Sequence, residues 1–309
     1  MKAMQLNNED NGTGLIPVEL PRPEAGLGEV LVRVHAAGVT PAELHWYPTT
    51  HTRSGTPRLR AVPGHEFCGV IASIGKGVEG FEVGDEVYGM NDWFADGATA
   101  EFCIAQPKDI ARKPATLSDE AAASVPISAL TAWQGLIDHA KLQPGERVLV
   151  HGGAGAVGLF AVQLAHNRGA HVITTVSTHD FDLVRRLGAD EVIDYKASRF
   201  EEGIEKVDVV FDTVGSDTLG RSWGILKPNG RMITIASDSE GTTDQRVKDA
   251  FFIVEPNQKQ LVEIDRQLEA GYLRAFVKAT VTLSEASAAY SGAVGDKVGH
   301  GKIVITIPL

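Results

Sequence analysis

Apolar positions along the chain follow two rhythms. Up to about Asp119 they come in short, valine-rich runs at residues 29–35, 69–74, 84–89 and 98–105. Glycine and proline separate these runs, the pattern of a compact β-rich domain. Residues 47–59 hold threonine, serine, glycine and proline without any period and read as a loop. From Ser118 the rhythm changes. Ser118-Asp-Glu followed by three alanines reads as a capped helix start, and a second helix spans 128–141, stopped by Pro144 and Gly145. Strand and helix patterns then alternate. Strands are expected at 148–150, 171–176, 191–195, 207–212, 230–236 and 251–254, with helices at 159–165, 181–187, 216–226 and 257–270. Asp180 stands at the N-cap of the helix at 181–187 and Gly188 at its stop. Such alternation predicts a doubly wound parallel sheet. Residues 273–281 and 302–307 return to strand patterns. The implied class is α/β, with a parallel-sheet domain at 121–272 inserted into a β-rich domain formed by 1–120 and 273–309.

The sharpest chemical signal lies between the first strand of the parallel set and the helix after it. Gly153, Gly155 and Gly158 fit G-x-G-x-x-G, with Ala154, Ala156 and Val157 between them and Gly152 just before. A strand before and a helix after are the context in which this spacing binds a dinucleotide. The first glycine allows a tight turn, the second lets the backbone approach a pyrophosphate, and the third lets helix and strand pack closely. N–H groups at the helix start then face the ligand. Outside that context the same spacing would be only a glycine-rich turn.

Composition narrows the partners. A hydrophobic content of 43% suits a globular core, and a net charge of -11 disfavours general affinity for nucleic acid or an anionic membrane. A local positive pocket for a phosphate stays compatible with that charge. Cys68 and Cys103, the only two cysteines, are too few for a disulfide scaffold or a four-cysteine zinc lobe and read as reduced thiols. Residues 1–14 are polar and lack the basic segment and apolar run of a secretory signal. No run of about eighteen apolar residues predicts a membrane span. A cytosolic location is the expectation.

Several short motifs occur in order: Pro63-Gly-His-Glu-Phe-Cys-Gly-Val-Ile-Ala72, Gly84-Asp-Glu-Val-Tyr-Gly89, Leu130-Thr-Ala-Trp133, the glycine loop, Leu187-Gly-Ala-Asp-Glu-Val-Ile-Asp-Tyr195 and Phe211-Asp-Thr-Val-Gly215. In this order and spacing the chain resembles the medium-chain dehydrogenase/reductase superfamily over almost its whole length, most nearly the zinc-independent quinone oxidoreductase-like branch. The resemblance implies a Rossmann domain inserted into a GroES-like domain, with substrate bound between the two. It also implies NAD(P)H as hydride donor, a quinone, enone or enal as acceptor, and a homodimer built near residues 251–254.

The resemblance also frames the metal question. Zinc alcohol dehydrogenases of the superfamily carry a cysteine after Gly-Val, where this chain has Thr40 after Gly38 and Val39. The position of their third ligand holds Ile127, while the histidine of Gly-His-Glu is kept as His65 beside Glu66. Thr40 and Ile127 supply neither a thiolate nor an imidazole, so no catalytic zinc is expected. His65 is then either structural or a hydrogen-bonding group at the substrate. Catalytic candidates on the substrate side are Thr40, His45, Trp46, Tyr47 and His65. Trp46 and Tyr47 either form a flat aromatic wall or pack within their own domain.

For the cofactor, many NADPH-preferring relatives carry serine and then a basic residue at the end of the second Rossmann strand. Ser177 and His179 stand there, and no carboxylate occurs before Asp180. A hydroxyl and an imidazole hold a 2′-phosphate more weakly than an arginine fork, and Arg185 or Lys196 could add charge. NADPH is the expected cofactor, with NADH as the alternative; His179 facing solvent is the competing reading. Further cofactor candidates are Thr131, Tyr195, Thr213, Val214, Gly215, Ala236, Phe252 and Val254, each with ordinary packing as the alternative. The expected activity is hydride transfer from NADPH to a quinone or α,β-unsaturated carbonyl. An enoyl-thioester reductase and a non-catalytic NADPH-binding structural or redox-sensing protein are the competing functions.

Overall fold

The computed structural model describes residues 1–7, 14–294 and 299–308. The chain divides into two compact units, one formed by Met1–Ile127, Pro256–Ala270 and Ala275–Leu309, the other by Ser128–Glu255 and Gly271–Arg274.

The first unit is built on β-strands. Strands β1 (Lys2–Asn7) and β2 (Gly14–Glu19) pair as an antiparallel ribbon. Then come β3 (Val30–Gly38), β4 (Glu66–Ile74), β5 (Glu86–Met90), β6 (Phe102–Ala105) and β7 (Ile110–Arg112). The valine-rich runs become central strands because their alternate residues, such as Val30, Val32, Val34 and Ile71, close one core. Strands β3 and β4 lie so close that a Cβ at Gly69 would strike the Arg33 carbonyl. The stretch read as a loop at 47–59 holds one helical turn, Tyr47–Thr50, and a bridge from His51 to Pro57.

The second unit holds β8 (Arg147–His151), β9 (His171–Val176), β10 (Glu191–Asp194), β11 (Val207–Asp212) and β12 (Leu226–Thr234). All pair in parallel, in the order β10-β9-β8-β11-β12. The central strands are nearly continuous buried runs, as expected where helices cover both faces. The sixth strand expected at 251–254 does not form; Phe251 makes one parallel bridge to Thr234. The Gln134 side chain satisfies both the N–H and the carbonyl of Glu255, at 3.0 and 2.8 Å. Phe252 turns onto the His139 ring, 4.4 Å between centroids. Local side-chain partners thus replace the ladder.

The chain closes with β13 (Val277–Thr282) and β14 (Lys302–Thr306), back in the first unit. The resulting sheet runs β13-β14-β3-β4-β5-β7, with β6 on β3. The amphipathic helix Gln258–Glu269, grouped by chain order with the parallel-sheet domain, clusters instead with this β-rich unit and packs on β7. It buries Leu261, Ile264 and Leu268, and the Tyr88 hydroxyl donates to Asp265 at 2.7 Å.

That contact has a pH signature. Burial pushes the Asp265 carboxyl from 3.8 up to about 7, against the Tyr88 hydrogen bond and with Glu269 adding to the rise. The folded state therefore holds its proton where the unfolded chain has lost it. Stability from this group is complete below 3.8 and is lost as pH rises through about 7. Asp265→Asn keeps an acceptor for Tyr88 and removes the charge. It is expected to be more stable than the parent at pH 8 by about 1–2 kcal/mol, a value discounted for solvent screening, with the gain shrinking toward pH 4. Urea unfolding at the two pH values reads this; a pH-independent difference would sink it.

Candidate functional site

The glycine loop joins β8 to the helix Ala156–Asn167. Its sharp turn is made at Gly152, which takes φ +74, one residue before the first glycine of the motif. Gly153 is glycine for a different reason: a Cβ there would strike the Thr174 side chain on β9. A Cβ at Gly158 would collide with the Gly152 carbonyl and come within 2.7 Å of Gly153 Cα. The loop also hangs on β9. Gly152 N donates to Thr175 Oγ1 at 3.2 Å and Gly153 N to the Thr175 carbonyl at 3.2 Å. Because the helix begins at Ala156, N–H groups of its first turn lack helical partners and present positive charge.

A cavity of about 460 Å³ opens on this loop. Of the expected cofactor residues, Ala154, Gly155, Ser177, Tyr195 and Val214 line it. Gly153, Ala156, Val157 and Gly158 shape the turn and the helix start without lining the cavity. His151, fully buried beneath, orders its floor. Its Nε2 lies 2.9 Å from Ser222 Oγ, which donates to the Thr218 carbonyl, and its Nδ1 lies 3.1 Å from Thr175 Oγ1. Ser222 must accept, so the proton sits on Nε2 and Thr175 donates to Nδ1. Burial pulls the imidazole down to about 3, with Arg221 adding to the fall, so the ring is neutral.

At the end of β9 the structure redistributes the expected roles. Ser177 is buried and faces the cavity. The His179 side chain is 73% exposed, outside the cavity lining, with Nε2 3.3 Å from Asp180 Oδ1. Asp180 makes no side-chain cap bond to the helix Phe181–Arg186 and instead lines the cavity. Lys196 lies over the Tyr195 ring and Arg185 over Phe181, neither lining the cavity. The cation that does line it is Arg221, from the helix Ser216–Ser222 after β11. Ser198, Phe200 and Thr218 join it there. None of these four is marked by a motif; only a map of which loops converge at the strand ends would have found them.

The turn after β11 is held by buried Asp212, which accepts from Val214 N, Gly215 N and Thr234 Oγ1 at 2.9–3.1 Å. Burial raises its carboxyl against these bonds. Gly215 has φ +81, and a Cβ there would come within 2.6 Å of Ala236 Cβ. Thr213 Oγ1 donates to the His151 carbonyl at 2.8 Å. Thr131, Ala236 and Val254 are buried, and Phe252 packs on His139; none of the four lines the cavity.

The candidates of the first unit form a separate cluster. Buried His65 pairs through Nδ1 with Glu43, whose Oε1 also accepts from Gly64 N at 2.6 Å. Its Nε2 sits 3.4 Å from the Ala95 carbonyl, with the Trp93 ring 5.2 Å away. Trp46 packs edge-on against Trp93 at 5.3 Å, so it is a packed ring rather than an open wall. Tyr47 is half exposed and stacks on His51 at 4.6 Å, and His45 is exposed. Thr40 Oγ1 accepts from Lys302 Nζ at 2.9 Å, and Lys302 also pairs with buried Glu66. Glu66 Oε2 accepts from Ile127 N at 2.9 Å. Thus Thr40, Glu66 and Ile127 belong to one buried network centred on a lysine. Among the described residues no three His, Cys, Asp or Glu side chains assemble as a metal site. A zinc ion does not fit this donor set. Neither Glu43 nor Lys302 was marked by the sequence.

The chain matches the family described as alcohol dehydrogenase GroES-like domain over residues 26–117 and the one described as zinc-binding dehydrogenase over 187–305. It is 32% identical to a probable zinc-binding oxidoreductase, mitochondrial, of Arthroderma benhamiae, covering 93% of this chain and 91% of that protein. It is 30% identical to a quinone-oxidoreductase, chloroplastic, of Triphysaria versicolor, covering 99% and 98%. The solved quinone oxidoreductase of Coxiella burnetii superposes with a TM-score of 0.88 at 29% identity, over 100% of this chain and 99% of that one. Together with the Arthroderma protein, NAD(P)H oxidoreductases of Danio rerio and Mus musculus carry mitochondrial in their names. That overturns the cytosolic location expected above. Lacking a secretory signal distinguishes no cytosolic chain from an organellar one. No helix among the described residues is long and apolar enough to cross a membrane.

Proposed function

The chain belongs to the medium-chain dehydrogenase/reductase superfamily, in its quinone-oxidoreductase-like branch, and from that premise we propose that it is an NADPH-dependent reductase of quinones and α,β-unsaturated carbonyls. Membership makes it an NAD(P)H-dependent oxidoreductase of small carbonyl- or quinone-like substrates. The observation that carries the finer reading is the glycine loop opening on a 460 Å³ cavity that also takes in Ser177 at the end of β9.

The residues present fit the dinucleotide. Gly155 borders the cavity at the helix start, Gly153 and Gly158 hold the turn beside it, and the first-turn N–H groups would hold the pyrophosphate. Ser177 would meet the 2′ end, with Tyr195 and Val214 against the adenosine. When bound, the reduced nicotinamide supplies the hydride. The protein's part is to orient donor and acceptor and to keep water out. The lysine contact occupies a lone pair of Thr40 Oγ1 and leaves its O–H able to donate. A conjugated carbonyl or quinone is electrophilic enough for such a hydrogen bond to suffice without a Lewis acid.

The test is NADPH oxidation with a panel of quinones, enones and simple ketones, each run with and without a chelator. Turnover of quinones or enones that the chelator leaves unchanged is expected. Silence across the panel, or a rate that collapses on chelation and returns with zinc, would overturn the reading.

A further inference from the structure

Resting on the dinucleotide reading of the cavity, we infer that Arg221 is the residue that discriminates NADPH from NADH, and that Glu201 holds its strength down. Among the described residues lining the cavity, Asp180 and Arg221 are the only formal charges at neutral pH, since His151 is uncharged. A 2′-phosphate placed near Asp180 alone would be repelled, so a cation in the same space is needed for it to bind.

Arg221 is built for that place. Its guanidinium lies over the Phe200 ring, 4.6 Å from the centroid, and Phe200 in turn packs edge-on against His151 at 4.5 Å. Nη1 donates to Glu201 Oε2 at 2.7 Å, and Nε is 2.9 Å from Asp217 Oδ2. Nη2 has no partner among the described residues, and the side chain is 29% exposed. The planar group is thus fixed on an aromatic face with one edge committed and another donor open. Glu201 is shared with Arg199, at 2.7 Å, and stays ionised at neutral pH, with a carboxyl held down to about 2 against its own desolvation. Its negative charge offsets part of what Arg221 presents to an incoming phosphate. The weak serine–histidine pairing expected at the end of β9 is thereby replaced by a guanidinium from another element.

The probes are adenosine 2′,5′-bisphosphate and adenosine 5′-monophosphate, titrated by calorimetry against the intact protein, with NADPH and NADH followed in parallel by nicotinamide fluorescence. Arg221→Gln is expected to weaken the bisphosphate about 10- to 100-fold, the range for losing a hydrogen bond to a charged group, while the monophosphate changes less than about 3-fold. Arg221→Lys should recover part of the loss. Glu201→Gln keeps an oxygen for Arg221 but not the charge, and should tighten the bisphosphate several-fold without moving the monophosphate. Added salt should weaken the bisphosphate more in the parent than in Arg221→Gln. Equal losses for both probes in Arg221→Gln, or no gain in Glu201→Gln, would overturn the inference and leave the dinucleotide site standing. A parent protein that binds neither NADPH nor NADH would overturn both.

Discussion

Replacing Lys302 with methionine is expected to destabilise the protein by about 3–5 kcal/mol, the cost of leaving one member of a buried ion pair uncompensated. Lys302 Nζ contacts Glu66 and Thr40 Oγ1, and both charged side chains are almost wholly buried. Burial pulls the ammonium down to about 7, with Glu43 opposing the fall. In Lys302→Met, Glu66 would keep the hydrogen bond from the Ile127 N–H. It lies wholly buried against Gly38, where a Cβ would come within 2.5 Å of its Oε1, so it does not reach water in its present position. Adding Glu66→Gln to the lysine change removes the stranded charge and should restore most of the loss. Denaturant unfolding of the single and double variants reads the difference. A double variant as unstable as Lys302→Met would mean that the lysine's packing, and not the pair, holds β14 to β3 and β4.

Gly158→Ala should cost the second unit its dinucleotide. The new Cβ would meet the Gly152 carbonyl and Gly153 Cα, both backbone, so the loop and not a side chain has to move. Overpacking of this kind costs about 1–3 kcal/mol, which at the loop corresponds to roughly 10- to 100-fold weaker NADPH binding. Gly220→Ala is the contrast. Nothing lies within 4 Å of its Cβ, and it sits in the helix Ser216–Ser222, where alanine is preferred. It should bind NADPH as the parent does. Fluorescence titration of both variants, beside their melting temperatures, separates loop geometry from general stability. Unchanged affinity in a folded Gly158→Ala protein would remove the loop from the binding site.

Much of this molecule could be read from its amino acids because the signals are local. A valine run at 29–35 or 207–212 buries itself as a strand whatever lies beyond it, and a period of hydrophobicity needs only its neighbours to be seen. The lack of zinc ligands at Thr40 and Ile127 was legible in the same way, since a hydroxyl and an alkyl side chain supply neither a thiolate nor an imidazole in any fold. The glycine spacing was legible as a class of turn, but the division of labour within it was not. That the positive φ falls on Gly152, and that Gly153 is bare to clear Thr174, depends on how β9 lies beside β8. Residues 251–254 look like a strand by composition, yet their flanking backbone groups go to Gln134, more than a hundred residues earlier. His179 is two positions from Ser177 in the chain but turns to solvent, while Arg221, forty-four positions beyond Ser177, lines the cavity that Ser177 faces. Lys302 meets Glu66 across 236 positions. Chain order carries period and donor chemistry. Which charges share one buried space is decided by strand order and by the packing that excludes water between them, and Arg221 and Lys302 were visible only there.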